Sequence, residues 1–145
     1  MKSIFKKICI GSDHAGYGLK EYIKSFLINN KIQIIDLGPF ELKSVDYPDY
    51  AKKVANRIKS KKSEVGILIC GSGTGMAITA NKIKGIRAAV CYSNASTSLS
   101  RQHNNANVIA IGSRLTKKNI AMKIIKIFLN TKFEGGRHLR RIKKI

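Results

Sequence analysis

The sequence predicts an α/β protein: a three-layer, Rossmann-like, doubly wound sheet of five parallel strands with helices on both faces. Three observations predict it. Short apolar runs without polar alternation, such as Ile8–Ile10, Val65–Cys70 and Val108–Ile111, suit strands buried on both faces. They alternate with segments whose apolar residues recur every three or four positions, the helical pattern. The turns after the first, central and last runs carry Gly, Ser, Asp or Arg at the strand ends, where a parallel sheet presents its ligand crevice.

Lys7–Ser12 is predicted as the first strand, and the turn Gly11 to Gly18 leads into a helix with Leu19, Tyr22, Ile23, Phe26 and Leu27 on one face. Ile32–Asp36 is the second strand. A loop with Gly38-Pro39 and Asp46-Tyr47-Pro48 follows, and Pro48 suits the first turn of the next helix, whose apolar face is Ala51, Val54, Ala55 and Ile58. The basic stretch Lys59–Ser63 links it to the central strand. After the glycine-rich turn, a short helix from Met76 to Lys82 is stopped by Lys84-Gly85. Arg87–Cys91 is the fourth strand, Ser93–Asn105 a polar and partly helical segment, and Val108–Ile111 the fifth strand. Thr116 is placed to cap a last long helix with Ile120, Ile124, Ile127 and Phe128 on one face. The tail from Phe133 to Arg141 has no settled pattern.

The chain organises around Cys70-Gly71-Ser72-Gly73-Thr74-Gly75. Three glycines in five residues each cost conformational entropy and need a reason. A strand, a glycine turn and a helix start aim successive N–H groups at one point beside a helix dipole, a seat for an anion or a developing oxyanion. A thiol there is favoured as thiolate. No Gly-Lys-Ser/Thr follows, so this is not a nucleotide P-loop. The turn after the first strand is not Gly-x-Gly-x-x-Gly either, and Asp13 would face a pyrophosphate, so a dinucleotide site is set aside.

At 145 residues, one domain over 1–145 is expected. No segment reaches the length of a membrane span, and no signal-peptide pattern opens the chain, so a cytoplasmic protein is expected. The three cysteines, Cys9, Cys70 and Cys91, are scattered, without metal spacing or a disulfide framework. The net charge of +20 is spread over the polar faces of most predicted helices and concentrates only between Arg137 and Lys144. The basic runs lack interleaved aromatics, so no specific nucleic-acid surface is expected, while an anionic small molecule gains from the field.

The strand-end rule gathers Asp13, His14, Cys70–Gly75 and Arg114 along one edge. His103 stands between Gln102 and Asn104. Arg137 and Arg141, four apart, share a face if helical and with Arg114 make a candidate phosphate clamp that His138 can join. A thiol base, an N–H nest, acid/base groups and a phosphate clamp, with no metal cluster, fit enolisation of a small phosphorylated carbonyl compound.

Through Gly11-Ser12-Asp13-His14-Ala15-Gly16, Asp46-Tyr47-Pro48, Gly66 to Gly75, Ala80-Asn81-Lys82, Gly85-Ile86-Arg87-Ala88, Ser100-Arg101-Gln102-His103-Asn104, Ala110 to Arg114 and Glu134-Gly135-Gly136-Arg137-His138, the chain resembles the type B ribose-5-phosphate isomerases. That family also includes galactose-6-phosphate isomerase subunits. The resemblance implies interconversion of D-ribose 5-phosphate and D-ribulose 5-phosphate with no metal and no cofactor. It implies Cys70 as the base between C2 and C1, with Met76 standing where some relatives place a glutamate nearby. Ser72 and the N–H groups of Gly71, Gly73, Thr74 and Gly75 would hold the cis-enediolate. His103 would open the furanose ring and Asp13 would bind sugar oxygens. His14, Arg114, Arg137 and Arg141 would bind phosphate, and Tyr47, Asn104 and His138 would line the pocket. A homodimer or a dimer of dimers with the site between subunits is implied, and strands 2-1-3 at one side of the sheet. Tyr92–Ser96 departs from the acidic or proline-containing form of relatives, and the chain ends soon after Arg141, where relatives often run on. The alternatives are a six-carbon sugar-phosphate isomerase (allose or galactose 6-phosphate) and a non-catalytic RNA- or phosphate-binding protein.

Overall fold

A computed structural model describes residues 1–145. Five strands, β1 (Ile8–Ser12), β2 (Ile34–Asp36), β3 (Val65–Cys70), β4 (Ala88–Val90) and β5 (Val108–Gly112), form one sheet in the order β2-β1-β3-β5-β4. Every neighbouring pair is parallel. The helices are α1 (Tyr17–Asn29), α2 (Tyr47–Lys59), α3 (Thr74–Asn81), α4 (Asn94–Gln102), α5 (Lys118–Asn130) and α6 (Arg137–Ile142). The expected 2-1-3 half is present, and β5 lies inside β4.

The two-residue period of the strands builds two cores. Ile8 and Ile10, Val65, Ile67 and Ile69, and Ile109 and Ile111 pack against Leu19, Ile23 and Leu27 of α1 and against Ala121, Ile124, Ile125 and Phe128 of α5. Cys9, Leu68, Cys70, Val108 and Ala110 face the other way, against Ala51, Val54, Ala55 and Ile58 of α2 and Met76, Ala77 and Ala80 of α3. The helices after β1 and β3 therefore lie on opposite faces, which makes the C-terminal ends of these two strands the switch point of the sheet.

Four expectations need correction. Tyr22 is not on the buried face of α1: it is exposed, with Lys118 Nζ 5.1 Å from its ring centre. Thr116 does not cap α5. Its N–H continues the preceding turn by donating to Gly112 O, and the N-cap is Lys117. The short helix begins at Thr74, two residues before Met76, because the glycine turn is tighter than the apolar pattern revealed. The unsettled tail contains α6, entered through Gly135 and Gly136 in positive-φ conformations.

Lys20 is fully buried in α1 and bonds Glu21 and Asp36 carboxylates at 2.7 Å. Burial alone would raise the Asp36 pKa, but hydrogen bonds from Lys20, Lys24 and the Gly38 N–H outweigh it and hold the carboxyl below its usual range. This network anchors the start of the loop that runs from Leu37 to Asp46.

Candidate active site

β3 carries its apolar run to Cys70, which is 4% exposed. The chain then reverses through Gly71, Ser72 and Gly73. Gly73 has φ +80°, a conformation that suits a residue without Cβ, and it packs on the backbone of Ile111 and Gly112. That turn brings the Gly73 N–H to 3.1 Å from Cys70 Sγ, to which it donates. The Thr74 N–H donates to Ser72 Oγ at 3.2 Å. The first turn of α3 adds N–H groups that have no intrahelical partner.

Backbone bonds extend the ladder of the sheet beyond its strands and join three turns into one platform. Asp13 N–H donates to Ile69 O at 3.1 Å, Ser113 N–H to Cys70 O at 2.8 Å and Arg114 N–H to Gly71 O at 3.0 Å. Ser113 Oγ donates to Ala15 O at 2.9 Å. Asp13 is buried, and its Oδ1 accepts from the Gly16 N–H at 2.9 Å, so one carboxylate oxygen shapes the turn. His14 Nδ1 lies 3.2 Å from both N and O of Val45, which ties this histidine to the loop before α2. Tyr47 opens α2 with its ring against Gly75, where a β-carbon would fall 2.7 Å from it. Arg114 lies across Gly71, with Nη1 3.1 Å from where a β-carbon would stand. The exposed Arg114 side chain has no carboxylate partner.

The other two thiols are packing groups. Burial pushes Cys9 up to about 11 and also raises Cys91. Cys70 is the one cysteine with a backbone N–H aimed at its sulfur.

The remaining expected residues form a second cluster. His103, Asn104, Arg137, His138 and Arg141 line a pocket of about 360 Å³ together with Ile142 and Ile145. The His103 and His138 rings stack, with centroids 4.2 Å apart and planes 12° from parallel. Burial lowers the His138 pKa, and His103, Arg137 and Arg141 lower it further against the opposing carboxylate of Glu134. Glu134 Oε2 lies 3.6 Å from His138 Nε2. Glu134 belongs to the motif that ends in His138, and its spacing four before that histidine is the signal that places it here. Nothing in the pattern pointed to Ile142 and Ile145.

Topology keeps the two clusters apart. Cys70 pairs with Gly112 at the C-terminal end of β5, whereas α4 runs back along the sheet and delivers His103 and Asn104 just before β5 begins. The five residues of β5 alone span about 13 Å. One chain thus holds two part-sites at opposite ends of the sheet.

His103, Glu134 and His138 offer donor atoms within 4.8 Å of one another, a metal-like set that the spacing of the sequence did not reveal. Ring-nitrogen lone pairs lie in the ring planes, so near-parallel stacked rings do not aim them at one centre. Arg137 and Arg141 line the same pocket and repel a cation. As arranged, the pocket suits an anion. At the other end of α4, Ser93 and Ser96 form a reciprocal capping box, so the departure at Tyr92–Ser96 makes a firm helix start.

The glycine nest beside a thiol can accept a developing oxyanion while the sulfur moves a proton on the adjoining carbon. Comparison with known proteins agrees with that chemistry. Residues 8–145 match the family model described as Ribose/Galactose Isomerase. Ribose-5-phosphate isomerase B of Escherichia coli is 44% identical over 140 residues, covering 97% of this chain and 94% of its own. The structure of ribose-5-phosphate isomerase B from Clostridium thermocellum superposes with a TM-score of 0.94 at 47% identity, over 95% of this chain and 93% of the other. That of the Mycoplasma genitalium protein, with bound ribulose-5-phosphate, gives 0.90 at 45% identity, over 94% and 91%. No helix of the present chain is long and apolar enough to cross a membrane. With the match running from β1 to the last residue, the chain belongs to the ribose/galactose isomerase family.

Proposed function

We infer that this chain interconverts D-ribose 5-phosphate and D-ribulose 5-phosphate through a cis-enediolate. The observation that carries the reading is Cys70 Sγ, buried at the lip of β3 with the Gly73 N–H 3.1 Å away. It is supported by the relatives, one of which holds ribulose-5-phosphate. The thiolate of Cys70 takes the proton from C2 of the open-chain aldose. Charge develops on the carbonyl oxygen at C1, where the N–H groups of Gly71 and Gly75 stabilise it, joined by those of Gly73 and Thr74 as they turn from Cys70 Sγ and Ser72 Oγ toward the ligand. Ser72 Oγ sits on the same turn and serves the proton that passes between O2 and O1. Return of the carbon-bound proton to C1 gives the ketose, so atoms and electrons balance without a cofactor. Asp13 presents its second carboxylate oxygen to sugar hydroxyls, and Tyr47 walls the crevice.

The furanose must open before C2 can react. His103 is assigned that step, moving protons at the ring oxygen and at O1. His14, Arg114, Arg137 and Arg141 bind the phosphate, with Asn104 and His138 lining the pocket around it. His103 and Cys70 lie at opposite ends of one sheet, so the reading requires a second copy whose His103 cluster covers the Cys70 crevice. A homodimer, alone or doubled into a dimer of dimers, meets that requirement. The enzyme works without a metal and in the reducing cytoplasm, where Cys70 stays a free thiol.

The test is a direct assay of ribose 5-phosphate and allose 6-phosphate with chelator present, on the wild type and on Cys70→Ala. The expected result is turnover of the pentose by the wild type, unchanged by chelation. Cys70→Ala should lose both isomerisation and solvent-deuterium exchange at C2 while still binding the sugar phosphate. Near-normal turnover in that variant removes Cys70 from the mechanism, and loss of activity on chelation, restored by zinc or manganese, removes the metal-free reading.

A further inference from the structure

Arg101 is 4% exposed and no carboxylate pairs with it. Burying a guanidinium without a counter-ion is costly unless its donors are filled. Here Nε and Nη1 are filled by neutral groups from two separate parts of the chain. Nη1 donates to Ala106 O at 2.6 Å and to Asn105 Oδ1 at 2.9 Å, in the turn just after His103 and Asn104. Nε donates to Thr131 O at 3.1 Å, where α5 ends and the segment bearing Arg137, His138 and Arg141 begins. The guanidinium lies 5.0 Å from the Phe5 ring centre and 5.6 Å from that of Phe128, so two aromatic rings border it.

A second arginine grips the same turn from outside. Arg87 Nε donates to Asn104 O and Asn105 O at 3.1 Å, and Arg87 Nη2 donates to Asn105 O at 2.9 Å. Asn105 itself has φ +45°, a left-handed conformation uncommon outside glycine. The turn that follows His103 is thus a tight one, held by two forked cations. One further backbone bond, Glu134 N–H to Gln102 O at 3.1 Å, joins the two arms of the pocket, and Arg101 joins them at their root.

We propose that Arg101 is a positioning residue of the His103–His138 pocket, setting the angle between the His103–Asn104 turn and the arm that bears His138 and the two arginines. The proposal rests on the reading of that pocket as half of the isomerase site. A lysine in its place keeps the charge but is a point donor on a flexible stem, and cannot hold Thr131 and Ala106 in one plane. Misplacement of about 1 Å at a reacting group costs on the order of 100-fold in rate.

The experiment uses full-length Arg101→Lys and Arg101→Ala, with His103→Ala in parallel. Thermal unfolding gives the folded fraction, and the Cε1–H proton shifts of His103 and His138 report the ring stacking. Arg101→Lys is expected to stay folded, to lose the mutual ring-current displacement of the two histidines, and to lower kcat at least tenfold with KM changed less. Arg101→Ala is expected to recover kcat when guanidinium ion is added at low millimolar concentration, and not with methylammonium. A folded Arg101→Lys with wild-type kcat, KM and histidine shifts overturns the proposal, as does an Arg101→Ala whose activity follows only its folded fraction. Should His103→Ala remain active, the functional reading falls instead, and the histidine shifts in the Arg101 variants still decide whether this side chain sets the stack.

Discussion

Cys70 differs from Cys9 and Cys91 in surroundings more than in burial, since all three are closed off from solvent. Burial raises Cys9 and Cys91. Replacing either by Ala should leave turnover intact and cost on the order of 1 kcal/mol in stability, the scale of a small core truncation. The distinction was legible in the sequence because it is local: the three glycines that turn N–H groups toward Cys70 follow it within five residues. The His103–His138 stack was not legible, because 35 positions separate the rings and only the fold brings them to 4.2 Å. The stack has a consequence of its own. Burial and the surrounding cations lower the His138 pKa, so folding disfavours its protonated form. The resulting contribution to stability is present above the ordinary histidine value and is lost as pH falls from there through the lowered folded value. A bound dianion opposes this shift by offsetting the charges of Arg137 and Arg141. Sulfate, dianionic across the titration, should move the His138 midpoint upward in a Cε1–H proton titration, with no such movement in Arg137→Ala/Arg141→Ala.

At the level of elements, the helices with strong apolar periodicity were readable and their ends were not. Ala51, Val54, Ala55 and Ile58 of α2 are all buried as expected. The start of α5 was missed because the chain after Gly112 makes an extra turn through Leu115 and Thr116 that composition does not announce. α6 was missed because six residues carry too little periodicity, and because its entry depends on two positive-φ glycines. This helix places Arg137 and Arg141 on one pocket. Replacing either by Ala should chiefly raise the KM for ribose 5-phosphate, about tenfold or more, because the phosphate does not react and its binding is largely uniform along the reaction path. A fall in kcat alone, with KM unchanged, would move these arginines from phosphate binding to the reacting end.

Over the whole molecule, five parallel strands and helices on two faces were legible because burial on both faces leaves an apolar record in each strand. The separation of the site residues into two clusters was not, since strand order decides it and the place of β5 inside β4 is a tertiary fact. The separation makes a prediction about assembly. Cys70→Ala and His103→Ala should each be inactive alone. In a mixed dimer with shared sites, one site carries both lesions and the other neither. Random reassortment of equal amounts makes about half the dimers mixed, so about a quarter of wild-type activity should return. The mixture is unfolded and refolded, and the hetero-dimer confirmed with a tag. No recovery in a confirmed hetero-dimer would mean that Cys70 and His103 do not act together across an interface.

The three backbone bonds that carry the ladder of the sheet past its strands, from Asp13 to Ile69, Ser113 to Cys70 and Arg114 to Gly71, bear on what an incoming ligand encounters. A crevice built from free loops would have to lose their conformational freedom at the moment of association, weakening capture. Here that freedom is surrendered earlier, when β1, β3 and β5 zip together, so the disorder that the cradle must give up belongs to folding and not to each encounter.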